Sequence, residues 1–303
     1  MTLNKTDGLT ISHSLFNQSP LIAKPIAKAW ELIVRFAIII AFIFIFYSSI
    51  TGNVFQPLIH SIVTLHWSGL IIRPSILWAF MGILLLMFRT FLWFRYHPFP
   101  AADMAAAPFL TVIIPAYNEG AMVENSINSV ATAQYPNDRL EIFVVDDGSK
   151  DDTWEYIQAA ARRYPRLVNP VRFLQNKGKR AALEAGFRQA RGEIVVTIDS
   201  DSVIEPQTLL AIAGPFRDSS VGAVAGKVVV YNRYESIIPR MLHVRYILSF
   251  DFLRAVQSTY RTVYCCPGAL SAYRTSVVKK VIDPWMHQTF FRPPSSPSVP
   301  VRG

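Results

Sequence analysis

The sequence predicts an α/β domain on a mainly parallel sheet, preceded by two transmembrane helices. Three observations carry this. Short apolar, β-branched runs alternate with helical periods between residues 109 and 198, the pattern of right-handed βαβ units. Two long apolar stretches precede them. The 303-residue composition, 51% hydrophobic and 17% charged with a mean hydropathy of +0.27, is too apolar for a disordered chain or a plain soluble domain.

Residues 1–30 read as a cytoplasmic segment, and 31–97 as two membrane helices joined by a short external loop. The first span, Leu32 to Ile50, carries one charge, Arg35, near its start, where a long side chain reaches the headgroups. The second, Ile76 to Phe94, is interrupted by Arg89 and Thr90 and ends in a belt of aromatic and basic residues. A buried core helix is the alternative for each. Lys24, Lys28 and Arg35 precede the first span, Arg89 and Arg95 close the second, and 51–72 has no lysine or arginine. By the positive-inside rule both termini are cytoplasmic, which implies a multi-pass protein of the cell membrane surrounded by membrane lipids. The apolar run starts too late and lacks the cleavage site of a signal peptide.

Two cysteines, adjacent at Cys265 and Cys266, exclude a disulfide scaffold and a Cys-x-x-Cys zinc site. The six histidines show no metal-ligand spacing. The net charge of +9 comes from seven basic against three acidic residues up to 108, and 23 against 18 after it. So even a division excludes a nucleic-acid patch, and no nucleic-acid partner is expected.

Pro98, Pro100 and the run Ala101–Ala107 read as a linker, residues 98–108. The domain, 109–285, opens with a strand over 109–115 and a helix over 119–133. A strand over 140–145 is followed by a helix over 152–164, with Asp151 or Asp152 as its N-cap. A third strand over 171–174, a helix over 180–190 and a fourth strand over 193–198 complete the pattern. Each strand ends in polar residues: Asn118 and Glu119, Asp146 and Asp147, Asn176 and Lys179, Asp199 and Asp201. Any one cluster reads as a capped turn, but in a parallel sheet all four share the edge where ligands bind. Asp199 and Asp201, two apart on an extended backbone, direct both carboxylates to one side. Such a pair suits Mg²⁺ or Mn²⁺ held jointly with a diphosphate, with Lys179 as a second positive contact. Neither a dinucleotide fingerprint nor a Walker loop occurs.

VIIPAYNE (112–119), VVDDGSKDDT (144–153), NKGKRAAL (176–183) and TIDSDS (197–202) resemble, in order and spacing, the motifs of family-2 glycosyltransferases with the GT-A fold. VRYILSFDFLRAVQS (244–258) and CCPGALSAYR (265–274) look like the processive membrane synthases, most like bacterial hyaluronan synthases, with chitin-oligosaccharide synthases next. The resemblance covers about residues 30 to 290. It implies that Asp146 or Asp147 holds the uridine of a UDP-sugar (UDP-N-acetylglucosamine or UDP-glucuronate), with Glu119 also on the donor nucleotide. It places Lys179 on the diphosphate, Asp199 on nucleotide and metal, Asp201 on the metal, and Cys266, Pro267 and Gly268 along the acceptor polysaccharide. Simple packing is the alternative for the cysteines. The helix around Met241–Gln257 borders the membrane, borders the acceptor channel or packs on the sheet.

The resemblance also implies an acidic catalytic base and a Gln-x-x-Arg-Trp motif after Arg274, and neither is in the sequence. The only acid there is Asp283, and residues 286–303 turn into a proline- and serine-rich tail. The expectation is a fragment or shifted reading frame: an inverting, UDP-sugar-dependent hexosyltransferase by family, with no catalytic base present and little activity. The alternatives are a lipid-linked sugar transferase and a non-catalytic nucleotide-sugar-binding partner subunit.

Overall fold

The computed structural model describes residues 40, 43, 44, 47 and 74–288. The expected N-terminal segment, most of the first span, the external loop and the tail from residue 289 lie outside the described residues. The chain divides into two compact units, Met1–Leu85 and Leu86–Gly303. In the first, Ile40, Ile43, Phe44 and Tyr47 are helical and exposed.

Helix α1, Pro74–Arg95, starts in the first unit and ends in the second. Trp78, Phe80, Met87, Phe88, Phe91 and Phe94 along it are exposed. Arg89 is its first charge, after a charge-free stretch that rises about 22 Å. Among the described residues no helix is long and apolar enough to cross a membrane. The expected pair of transmembrane helices is therefore not among the described elements.

Of the second unit, residues 86–288 are described, and they form one α/β domain. Its elements are β1 (Leu110–Ala116), α2 (Met122–Ala131), β2 (Leu140–Asp146), α3 (Thr153–Arg163), β3 (Val168–Arg172), α4 (Lys179–Gln189) and β4 (Ile194–Ile198). Then come α5 (Thr208–Ala213), β5 (Ala223–Ala225), α6 (Ile237–Ile247), α7 (Ala255–Thr259), β6 (Leu270–Arg274) and α8 (Thr275–Met286). The sheet order is β3-β2-β1-β4-β6-β5. The first four strands are parallel, and β6 runs antiparallel to both β4 and β5.

Every residue of β1, β2 and β4 is buried, because helices cover both faces of the sheet. Val123, Ile127 and Ile157, from α2 and α3, join the core on one face with Val112, Ile114, Ile142 and Val144. Ala182 and Phe187 of α4, with Val278 and Ile282 of α8, pack on Ile113, Val145 and Val195 from the other. Glu141, a charge inside β2, is 1% exposed. It accepts hydrogen bonds from the Thr111 hydroxyl at 2.6 Å and from the Arg191 backbone and guanidinium at 2.9 and 2.8 Å, the pairing a buried carboxylate needs.

The third strand begins three residues before its expected start. Pro170 removes a ladder donor, which argues for a later start, but β3 is an edge strand, where proline is tolerated. Leu174, expected inside that strand, is fully exposed. The stretch 98–108 is pinned to the domain: Ala102 N–H donates to Leu210 O at 2.8 Å, and Arg139 donates to the carbonyls of Ala105 and Ala107 at 3.0 and 2.8 Å. In α6, and in the π-helical turn Leu248–Arg254 that follows it, no side chain is buried. That turn borders α1, where the Trp93 indole N–H donates to Asp251 O at 2.8 Å.

Candidate donor-binding site

The loops after β1, β2 and β4 and the start of α4 meet over the carboxyl edge of the sheet around a cavity of about 310 Å³. Glu119, Asp147, Asp199 and Asp201 line it with Lys179 and Asn176. Tyr117, Gly178, Ser200 and the end of β1 complete the wall.

The β1 loop is stitched to the β2 loop. Thr153 Oγ1 accepts hydrogen bonds from the backbone N–H groups of Glu119 and Gly120, both at 2.8 Å. Asn118 N–H donates to Ser149 Oγ at 3.0 Å, and its side-chain oxygen accepts from Lys150 N–H at 2.9 Å. Asn118 has a left-handed φ of 53°, which asparagine tolerates. Much of the expected polar signature thus holds loop to loop. The Asp151 carboxylate accepts from Thr153 N–H at 3.1 Å and its hydroxyl at 2.6 Å. The Thr153 hydroxyl bond holds the Asp151 carboxyl below its ordinary range. Asp152, which occupies the N-cap position, makes no side-chain cap bond.

The two adjacent aspartates have different surroundings. Asp146 is fully buried and accepts Ser149 N–H at 2.9 Å. Its second oxygen lies 3.2 Å from Arg172 Nε in a charge contact without a directed hydrogen bond. Asp147 lines the cavity and accepts Lys177 N–H at 2.7 Å, holding the β3–α4 loop against the β2 turn. Gly148, next after Asp147, has φ +73°, and a Cβ there would sit 2.5 Å from Gln175 C and 2.7 Å from Asn176 N. Asn176, Gly178 and Lys179 owe their places at the cavity to that backbone contact.

At the end of β4 the main-chain oxygen of Asp199 accepts the Ser126 hydroxyl at 3.3 Å and Ser202 N–H at 3.0 Å. Its carboxylate faces Lys179, whose Nζ is 2.5 Å from Oδ1. Asp201 is exposed, two residues on. Gly268 reaches the same place from the loop before β6: a Cβ there would lie 3.3 Å from Lys179 Nζ and 3.4 Å from Asp199 Oδ1. Of the expected acceptor segment, Gly268 abuts the site, while Cys266 and Pro267 do not line this cavity. Burial and the neighbouring Cys265 thiol raise the pKa of Cys266, against the pull of Arg254, so it is a neutral thiol near pH 7. Sequence reasoning missed Tyr117, whose only signal is an aromatic among the polar residues of its motif.

Among the described residues, no three histidine, cysteine or acidic side chains come together as a metal site. Asp199 and Asp201 alone fit an ion that takes its remaining oxygens from phosphate and water, as Mg²⁺ commonly does.

The model of glycosyl transferase family 2 matches residues 111–282, and the chain belongs to that family. It is 33% identical over 190 residues to an N-acetylglucosaminyltransferase of Mesorhizobium japonicum, covering 62% of this chain and 44% of that protein. Against a hyaluronan synthase of Streptococcus pyogenes the identity is 33% over 210 residues, covering 67% and 49%. The chain spans about half the length of the curated relatives it matches. Among solved structures, the mannosyltransferase PcManGT from Pyrobaculum calidifontis, in complex with GDP-Man and Mn²⁺, superposes with a TM-score of 0.54 at 28% identity. That likeness covers 67% of this chain and 55% of the other. The GT-A fold, with its mostly parallel sheet, is thus the one the motifs implied.

Proposed function

We propose that this chain carries the donor-binding domain of a membrane-bound, inverting glycosyltransferase that uses a UDP-sugar to extend a β-linked polysaccharide of hyaluronan or chitin type. The observation that carries it is the cavity at the sheet edge, where four carboxylates and one lysine surround a space lined by loops of β1, β2 and β4. In this reading Asp147, rather than the buried Asp146, takes the uridine, Glu119 borders the nucleotide, and Lys179 takes a diphosphate oxygen. Asp199 and Asp201 hold Mg²⁺ or Mn²⁺, which neutralises charge on the departing diphosphate. The named relatives support N-acetylglucosamine or glucuronate as the sugar. The loop at Gly268 is the wall nearest the acceptor.

Calorimetry with UDP on the detergent-purified chain tests the donor assignment. Binding at least about tenfold tighter with Mn²⁺ than with chelator is expected, since ion and diphosphate share ligands. Equal affinity in both conditions would remove the ion from the site.

The second reading is donor binding without transfer. Asp283, the only acid after Arg274, pairs with Arg188 at 2.6 Å. Arg188 lies nine residues along α4 from Lys179, about 13 Å of helix. Asp283 is therefore held away from the donor cavity and is not placed to act on an acceptor hydroxyl there. The lipid-linked transferase would use the same donor cavity.

Membrane attachment rests on the apolar run 32–50 and on the exposed apolar side chains of α1. The lysine and arginine asymmetry puts the domain in the cytoplasm. Reporter fusions after residues 60 and 110 are expected on opposite sides of the membrane, and finding both on one side would overturn the two-span topology.

A further inference from the structure

We propose that Lys179 is an internal counter-ion that closes the cation position at Asp199 until a nucleoside diphosphate draws it away, so that ion and nucleotide enter together. This rests on the donor reading above and adds an order of events to it.

Three observations carry the inference. Lys179 Nζ lies 2.5 Å from Asp199 Oδ1, one of the few oxygens an ion at this site could use. The lysine side chain is 53% exposed and leaves the first turn of α4 beside Gly178, around which a Cβ would meet nothing within 4 Å. It therefore has room to swing. Gly268 lies against the pair: a Cβ placed there would be 3.3 to 3.6 Å from its charged atoms.

A dication and an ammonium group cannot share one carboxylate oxygen without repulsion, and water screens it only in part at the Asp199 side chain, which is 27% exposed. Without nucleotide the lysine holds Asp199 Oδ1, and a lone ion meets Oδ2 beside an ammonium group, with Asp201 as its second carboxylate. A diphosphate brings several negative charges, attracts the lysine and frees Asp199 for the ion. By linkage, the factor by which nucleotide tightens ion binding equals the factor by which ion tightens nucleotide binding.

The experiment measures Mn²⁺ binding to the full chain in detergent by loss of the free-ion paramagnetic resonance signal, with and without UDP. Wild type is expected to bind Mn²⁺ weakly alone and far more tightly with UDP. Lys179→Gln, which keeps a polar side chain and removes the charge, is expected to bind Mn²⁺ alone at least about tenfold more tightly, because the Coulomb repulsion is gone. Its coupling factor should shrink accordingly. Lys179→Arg keeps the charge and should behave as wild type. Equal binding of Mn²⁺ alone by wild type and Lys179→Gln, with the UDP coupling intact, overturns the counter-ion while leaving the donor reading standing. Failure of wild type to bind UDP with Mn²⁺ overturns both.

Discussion

Gly148→Ala is expected to destabilise the domain by about 3 kcal/mol or more and to remove UDP binding. Two costs combine. A left-handed φ of +73° costs a non-glycine residue roughly 1–2 kcal/mol. The added Cβ would also stand 2.5 to 2.8 Å from the main chain of Gln175 and Asn176. Backbone cannot rotate away as a flexible side chain does, and overpacking of this kind costs roughly 1–3 kcal/mol. For a domain of this size the melting temperature should fall by roughly 6–12 °C. Gly178→Ala is the matched control, since its φ of +89° carries strain but its Cβ would enter open space. Thermal unfolding of both variants decides the matter. If Gly178→Ala melts as low as Gly148→Ala, the close approach of the two loops is not what glycine at 148 serves.

Asp199→Ala is expected to weaken UDP binding in Mn²⁺ by about a hundredfold, near 2.7 kcal/mol. The substitution removes half of the protein's oxygen donors to the ion. It spares the main-chain oxygen that accepts Ser126 and Ser202, so the loop should hold its shape. In chelator the sign should differ. Lys179 loses its carboxylate partner and is free for the diphosphate, so metal-free UDP affinity should stay level or rise slightly. Asp201→Ala should share the loss in Mn²⁺ without the gain in chelator, because Asp201 does not pair with Lys179. Calorimetry of the three proteins in both buffers separates these outcomes. A fall in both buffers for Asp199→Ala would place that carboxylate on the nucleotide and not on the ion.

The legible parts of the fold were those with one dominant cause. β1 and β2 are apolar because both faces are covered, and that alone marks them as strands. β3 starts before the apolar run at 171 because a sheet edge admits Pro170, and edge position is a property of the whole sheet. β5 has three residues, too few for any period to show, and β6 was noticed only as a motif. At the site, convergence on the carboxyl edge was readable from the spacing of polar clusters. Which of Asp146 and Asp147 faces the cavity was not, because neighbours at a strand end point opposite ways and either phase fits the letters. The meeting of Lys179 with Asp199, and of Gly268 with both, comes from strand order and not from local sequence.

The antiparallel end of the sheet has a consequence for how such a domain can be varied. The chain leaves β5 at Gly226, whose N–H donates to Leu270 O at 3.0 Å, and re-enters at Leu270, which pairs with Ile198 immediately before Asp199. The whole excursion 227–269, including the π-helical turn against α1, therefore departs and returns at one rung. Its ends are fixed by the ladder, so lengthening it adds only a slowly growing loop-closure cost. The excursion behaves as a cassette: its outer part can be exchanged for one suited to another surface or product while the carboxylates on the neighbouring strand keep their register.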